Sequence, residues 1–263
     1  MSLTRTPSAL KVPAVIGAIF WAIKLLTTAF GESTSDYLVH NVNPYLAVAG
    51  GFIVFVVAMA IQLRVERYIP WVYWLAVGMV AVFGTMAADV LHVEFHVPYI
   101  GSSILFAVIL VAVFWVWSRA EPTLSIHSIT TTQRELFYWA AVLATFAMGT
   151  ALGDLAAYTL HLGFLSAGIV FAVLFALPGL AYFGLRINAI LAFWASYVMT
   201  RPLGASFADW TGKSRHAGGI GIGDGTIAFI LLALIVGGVA YLSISRADQI
   251  AAGERVELDH ARS

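Results

Sequence analysis

Four aspartates, Asp36, Asp89, Asp154 and Asp209, stand at the ends of long apolar stretches, where an ionisable side chain is hard to accommodate. Four residues before them lie Glu32, Thr85, Thr150 and Ala205, so in a helix each pair shares one face. The same stripe runs back through Thr28 and Lys24 in the first case, and through Arg201 and Tyr197 in the last. Carboxylates backed by hydroxyls form a hard-oxygen ligand set that suits Mg, Ca or Mn and does not suit Cu(I). Glu32, Asp36, Asp89, Asp154, Asp209, Thr85, Thr150 and Thr28 are therefore expected to bind or gate an ion, with Lys24 and Arg201 as internal counter-ions. Five acids less two bases leaves three negative charges, which protons or a bound cation must offset. The competing expectation is that the aspartates only cap helices or hold them together.

The histidines add a second chemistry. His92 and His96 lie one helical turn apart around Glu94 and close to Asp89, and His40 follows Asp36 by four. Asp36, Asp89, Asp154 and Asp209 with His40, His92 and His96 make an alternative metal set that admits Zn, and with it a membrane hydrolase. HVEFH is not HExxH, and no GxSxG occurs. GGIGIGDG from Gly218 lacks the Lys-Ser/Thr that completes a phosphate loop and reads as a flexible connection. No catalytic residue and no resident cofactor is expected, only a divalent cation drawn from Mn, Mg, Ca or Zn.

The elements that position these groups follow from composition. Of 263 residues, 60% are hydrophobic and 11% charged, with eight tryptophans and no cysteine. That balance excludes a soluble catalytic domain, disulfides and thiolate metal sites, and a formal net charge of zero gives no case for nucleic acid. Apolar runs of membrane-crossing length occupy residues 13–38, 45–63, 70–92, 98–118, 134–159, 163–183, 187–210 and 224–244. The expected fold is an all-α integral membrane protein of eight transmembrane helices. Arg5, Lys11, Arg64, Arg67, Arg119, Arg134, Arg186, Arg246, Arg255 and Arg262 fall on one side, against Lys213 and Arg215 on the other. The positive-inside rule then places both termini in the cytoplasm and the chain in the inner membrane. Arg5 and Lys11 before an apolar stretch resemble a signal peptide, but Lys24 and the internal repeat argue for a retained first helix. Thr132 and Glu135 fit a capping box that opens the fifth helix, and His127 reads as a loop residue.

The odd-numbered spans align as WAIKLLTTAFGESTSD, WLAVGMVAVFGTMAAD, WAAVLATFAMGTALGD and WASYVMTRPLGASFAD. All fit W-x9-G-x4-D, beginning at Trp21, Trp74, Trp139 and Trp194, at spacings of 53, 65 and 55 residues. An aromatic precedes each tryptophan: Phe20, Tyr73, Tyr138 and Phe193. Four tandem two-helix repeats follow, at 11–64, 65–119, 130–186 and 187–245, with 246–263 a short polar cytoplasmic tail. Two spans per unit keep all four parallel, and a pseudo-fourfold axis would gather the odd helices. Gly31, Gly84, Gly149 and Gly204, with the four tryptophans, are expected to pack helices. Pro202 is expected to kink or open the seventh helix.

The tryptophans, with SDYLVH, YWLAV, FGTMAADVLH, LSIHSITT, FYWAAVLATFA and RPLGASFADW, give the chain a resemblance to bacterial multi-pass membrane-anchored proteins. That family is built from four tandem copies of a two-span repeat of unknown function, so the resemblance implies architecture and no activity. The residues point to a transport protein or channel for a small cation, a divalent metal such as manganese or a proton. An outer-face metal-dependent hydrolase and a non-catalytic scaffold are the alternatives. The expected partners are the lipid bilayer and the cation, with self-association left open.

Overall fold

A computed structural model describes residues 9–249. It contains α1 (Ala18–Asn41), α2 (Pro44–Arg64), α3 (Pro70–Val93), α4 (Tyr99–Ala120), α5 (Thr132–Asp154), α6 (Gly163–Leu185), α7 (Ala189–Gly212) and α8 (Asp224–Ser245), and no strand among the described residues. Six of the helices, all but α1 and α7, are long and apolar enough to cross a membrane. The chain is a membrane protein. α1 and α7 are as long, 24 residues each, but α1 carries Lys24, Glu32 and Asp36 and α7 carries Arg201 and Asp209.

Local chemistry sets the helix starts. Pro44 and Pro70 occupy first-turn positions where a missing N–H costs nothing, and Asn43 and Asn188 accept hydrogen bonds from the first-turn amides. α5 departs from the expected capping box. Thr131, not Thr132, is the cap, and its hydroxyl accepts from the Arg134 amide. Glu135 does not reach back, because it is fully buried and bound to Lys11 Nζ at 2.7 Å and Gln62 Nε2 at 2.8 Å.

The first helix also begins later than expected. Residues 9–17, with Pro13 among them, run as a non-helical strap. The Tyr68 amide donates to Leu10 O, the Lys11 amide to Ile129 O, and the Ala14 and Val15 amides both to Asp248 O. Beyond Gln249, the expected polar tail lies outside the described residues.

α1, α3, α5 and α7 pack as a closed ring, and each even helix lies outside it: α2 against α3, α4 against α5, α6 against α7, and α8 against α1. The second helix of each repeat therefore packs mainly on the next repeat, and the last packs on the first. Side-chain contacts close in the same order. A Cβ on Gly31 would meet Ala81 Cβ at 2.5 Å, one on Gly84 Phe146 Cβ at 2.9 Å, one on Gly149 Arg201 Cβ at 2.6 Å, and one on Gly204 Thr28 Cβ at 2.7 Å. Ala81, Phe146, Arg201 and Thr28 all stand three residues before their own repeat's glycine, so one contact recurs four times around an axis. At that spacing glycine is required, because a side chain would force neighbouring helices apart.

A second layer repeats the cycle at the tryptophan end. Phe20 packs on Trp74 (5.5 Å between ring centroids), Tyr73 on Trp139 (5.7 Å), Tyr138 on Trp194 (6.0 Å) and Phe193 on Trp21 (5.7 Å). Trp74, Trp139 and Trp194 are buried in this layer, and Trp21 is half-buried. The even helices carry the exposed apolar surface, including Ile53, Val57, Ile104, Val111, Ile169, Val173, Phe229 and Val236. Lipid is the solvent that suits such a surface.

Candidate functional site

Arg201 is the centre of the ring. Its side chain is 1% exposed, and Nη2 donates to Glu32 Oε2 at 2.5 Å, Thr85 Oγ1 at 2.5 Å and Thr150 Oγ1 at 2.8 Å, while Nη1 reaches Thr28 O at 3.3 Å. Glu32, Thr85 and Thr150 are equivalent positions, each following its repeat's glycine, and the fourth equivalent, Ala205, sits on Arg201's own helix. One guanidinium thus ties all four odd helices. Thr85 and Thr150 accept from Arg201 because their own hydroxyl protons go to Ala81 O and Phe146 O. Thr28 spends its hydroxyl on Leu25 O, so only its carbonyl faces Arg201.

Toward the aspartate end, carboxylate oxygens of Glu32, Asp36 and Asp209 all lie within 4.8 Å of one another. Asp209 is buried, and Asp36 is half-buried. The expected ring of four aspartates is therefore asymmetric: α1 and α7 converge, while Asp89 and Asp154 stay outside this group. Neither Asp89 nor Asp154 makes a hydrogen bond or ion pair among the described residues, although Glu32 and Asp36 act on both through their charge. Immediately after Asp154 the helix widens into a π-helical turn, Leu155–Thr159.

Lys213, one turn past Asp209 and just beyond α7, forms ion pairs with Asp36 and, at 3.8 Å, with Asp209. Burial alone would lower its ammonium, but the two carboxylates prevail and hold it above the ordinary lysine range. From the sequence alone, Lys213 counts only as an outer-side charge. Its i,i+4 spacing from Asp209 was the available signal.

Lys24 departs from its expected role as a counter-ion. It is 1% exposed, and among the described residues Nζ finds no hydrogen-bond acceptor and no carboxylate. It lies 4.0 Å from the Phe146 ring centroid and 4.2 Å from that of Tyr197. Its position on α1, two turns from Glu32 and on the tryptophan side of Arg201, puts it between the glycine contacts and the aromatic layer.

The histidines do not join the carboxylates. His40 Nδ1 bonds the Asp36 backbone carbonyl, and His92 Nδ1 the Val97 carbonyl while its ring stacks on Tyr99 at 3.6 Å. His96 is exposed, at φ 54°, with Nδ1 near Glu94 O. Backbone carbonyls take these rings, and among the described residues the groups close enough to share one ion are Glu32, Asp36 and Asp209. Pro202 leaves α7 continuous from Ala189 to Gly212, with its ring against Gly149.

At the tryptophan end the structure adds polar groups that sequence patterning passed over. Tyr73 and Tyr138 hydroxyls are 2.5 Å apart, and the buried Lys11–Glu135 pair and Tyr68–Asp248 bond tie the strap, α5 and the segment after α8. These tyrosines look like ordinary aromatics in sequence; only the ring closure faces their hydroxyls toward one another.

A family model described as Repeat of Unknown Function (DUF347) matches residues 19–68, 72–123, 137–188 and 192–248. No curated protein matches the chain, and no solved structure does.

Proposed function

The chain belongs to the DUF347 repeat family, and from its geometry we propose a membrane transporter that carries a small cation through a carboxylate-lined interior. The observation that carries the reading is the convergence of Glu32, Asp36 and Asp209 within 4.8 Å, with Asp89 and Asp154 on the neighbouring helices making no ion pair among the described residues. Glu32, Asp36, Asp89, Asp154 and Asp209 outnumber Arg201 and Lys213 within the bundle here, so a bound cation, like a proton, would offset carboxylate charge. Hard oxygens favour Mn, Mg or Ca over soft metals.

All eight helices cross the inner membrane in this reading, with α1 and α7 hiding their charges in the bundle. Lys11, Arg64, Arg67, Arg119, Arg134, Arg186 and Arg246, gathered at the tryptophan end, support placing that end in the cytoplasm. The axis there is filled by buried Phe20, Tyr73 and Tyr138, which favours a gated carrier over an open pore. Lys213 acts as a tethered competitor that the cargo displaces from Asp36 and Asp209. A scaffold remains the second reading, because Arg201 alone joins four helices.

Equilibrium Mn2+ binding to the purified protein separates the two. Asp209→Asn and Asp36→Asn should abolish binding in folded protein, and Lys213→Gln should tighten it by up to about fivefold, since a partly exposed pair is worth up to ~1 kcal/mol. Absence of binding by folded wild type for Mn2+, Mg2+ and Ca2+ would leave the scaffold.

A further inference from the structure

The outer helices do not fill the same space in every repeat. α4 lies on α5, and its Phe114 and Trp117 wedge against Trp194 of the next ring helix, at 4.9 and 5.8 Å between ring centroids. Trp117 is fully buried there. Tyr99, Phe164 and Gly225 stand in the first turns of α4, α6 and α8. At the distance that separates Phe114 and Trp117 from Tyr99, α6 carries Gly179 and Tyr182, and α8 carries Ala240 and Ser243. Neither helix keeps the Phe114 ring, and Tyr182 is exposed.

Each loss leaves a cavity at the corresponding place. Between α6, α7 and Trp21 of α1 lies one of about 450 Å³, walled by Trp21, Phe175, Gly179, Phe183 and Phe193. Between α8, α1 and Trp74 of α3 lies one of about 400 Å³, which Ala240 and Ser243 line. A Cβ on Gly179 would find open space. Phe183 is largely exposed, beside Leu177 and Leu180, so the first cavity is reached from the lipid-facing surface of α6. Ser125 and His127, from the connection between α4 and α5, give it polar groups, while Ser196 spends its hydroxyl on Phe175 O. Arg186, between the lining residues Phe183 and Ala189, is exposed and makes no ion pair among the described residues.

We propose that the cavity between α1, α6 and α7 binds an anionic phospholipid, with one acyl chain in the space that Phe114 fills on α4 and the phosphate at Arg186. An apolar void left empty forfeits contacts along every wall, and an acyl chain is the apolar group that a bilayer brings to it. The headgroup follows from charge: Arg186 stands beside the cavity, and Arg64, Arg119 and Arg246 gather at the same end, which favours a negative lipid. The seated chain buttresses the seam between α1 and α7, the helices that carry Glu32 and Arg201. The site lies away from the carboxylates and requires no transported cation.

The test uses full-length protein in phosphatidylcholine nanodiscs, with phosphatidylglycerol carrying a photoactivatable diazirine on its acyl chain as the probe. Adducts mapped to residues 175–183 and 189–193 should saturate as the probe fraction rises, while those on Ile53 of α2 and Ile104 of α4, which are exposed on the apolar surface, should rise in proportion. Gly179→Phe, which restores the ring that α4 carries, should abolish the saturable adducts. Arg186→Gln changes an exposed side chain and keeps the test decisive if Gly179→Phe fails to fold. It should weaken binding of the phosphatidylglycerol probe by up to about fivefold and leave a matching phosphatidylcholine probe unchanged. Adducts that rise in proportion everywhere in wild type, saturable adducts that survive in folded Gly179→Phe, or a phosphatidylcholine probe that binds wild type as tightly as phosphatidylglycerol would each overturn the proposal.

Discussion

Arg201 and Glu32 are each other's compensation inside the bundle, and neither has water to fall back on. Arg201→Met leaves Glu32 buried against two threonine hydroxyls that already donate elsewhere, a loss of about 3–5 kcal/mol for breaking a buried pair. Removing both charges in Arg201→Met/Glu32→Gln should recover much of that, because the penalty belongs to the orphaned charge more than to the missing attraction. Unfolding in detergent, followed for the two single variants and the double, measures the coupling; additive losses would contradict the pairing. The polar stripe Lys24–Thr28–Glu32–Asp36 was legible from the four-residue spacing, as was the need for Arg201 to face inward. The partners were not. Spacing along one helix says which residues share a face, but it does not say that α7 supplies Arg201 and Lys213 to α1's carboxylates, nor that Lys24 points past them to Phe146 and Tyr197.

Helices in the inner ring approach at the glycines, and the four contacts differ in what they meet. Gly149→Ala places a methyl on the Arg201 stem and the Pro202 ring, neither of which yields freely, and should cost about 1–3 kcal/mol by overpacking. Gly78→Ala, on α3 with open space around it, should be neutral or stabilising by up to ~1 kcal/mol through helix propensity. A thermal shift of the same sign and size in both variants would mean that the ring does not close as described. The repeat was legible because W-x9-G-x4-D places an aromatic and a glycine at fixed heights on every odd helix. The cyclic pairing was not, since each even helix packs mainly on the following repeat and not on the helix it is joined to. The start of α1 was missed for a similar reason: residues 12–17 are apolar enough to extend a span, but Pro13 and the bonds from Ala14 and Val15 to Asp248 O hold them as a strap.

The whole molecule has two unlike ends. Buried and half-buried carboxylates gather at one; the other is filled by aromatic rings, with the strap and the segment after α8 bonded across it. Burial raises the Asp248 carboxyl above its ordinary range, with the Tyr68 hydrogen bond working the other way. A carboxyl raised in the folded state binds its proton more tightly there than in the unfolded chain. Its contribution to stability is therefore present at low pH and is lost as pH rises through the raised value. Hydrogen exchange at the Ala14 and Val15 amides, corrected for intrinsic rates, should thus show greater protection on the acid side, and Asp248→Asn should remove that dependence. In the proposed function, the carboxylate end admits a cation that the ring then carries across. Mn2+ influx into proteoliposomes, with Asp209→Asn beside wild type, tests it most directly. Wild type should show saturable influx, and a correctly folded Asp209→Asn influx at the empty-liposome level. Equal influx in both, or none by folded wild type for Mn2+, Mg2+, Ca2+, Zn2+ or protons in either gradient direction, would contradict it.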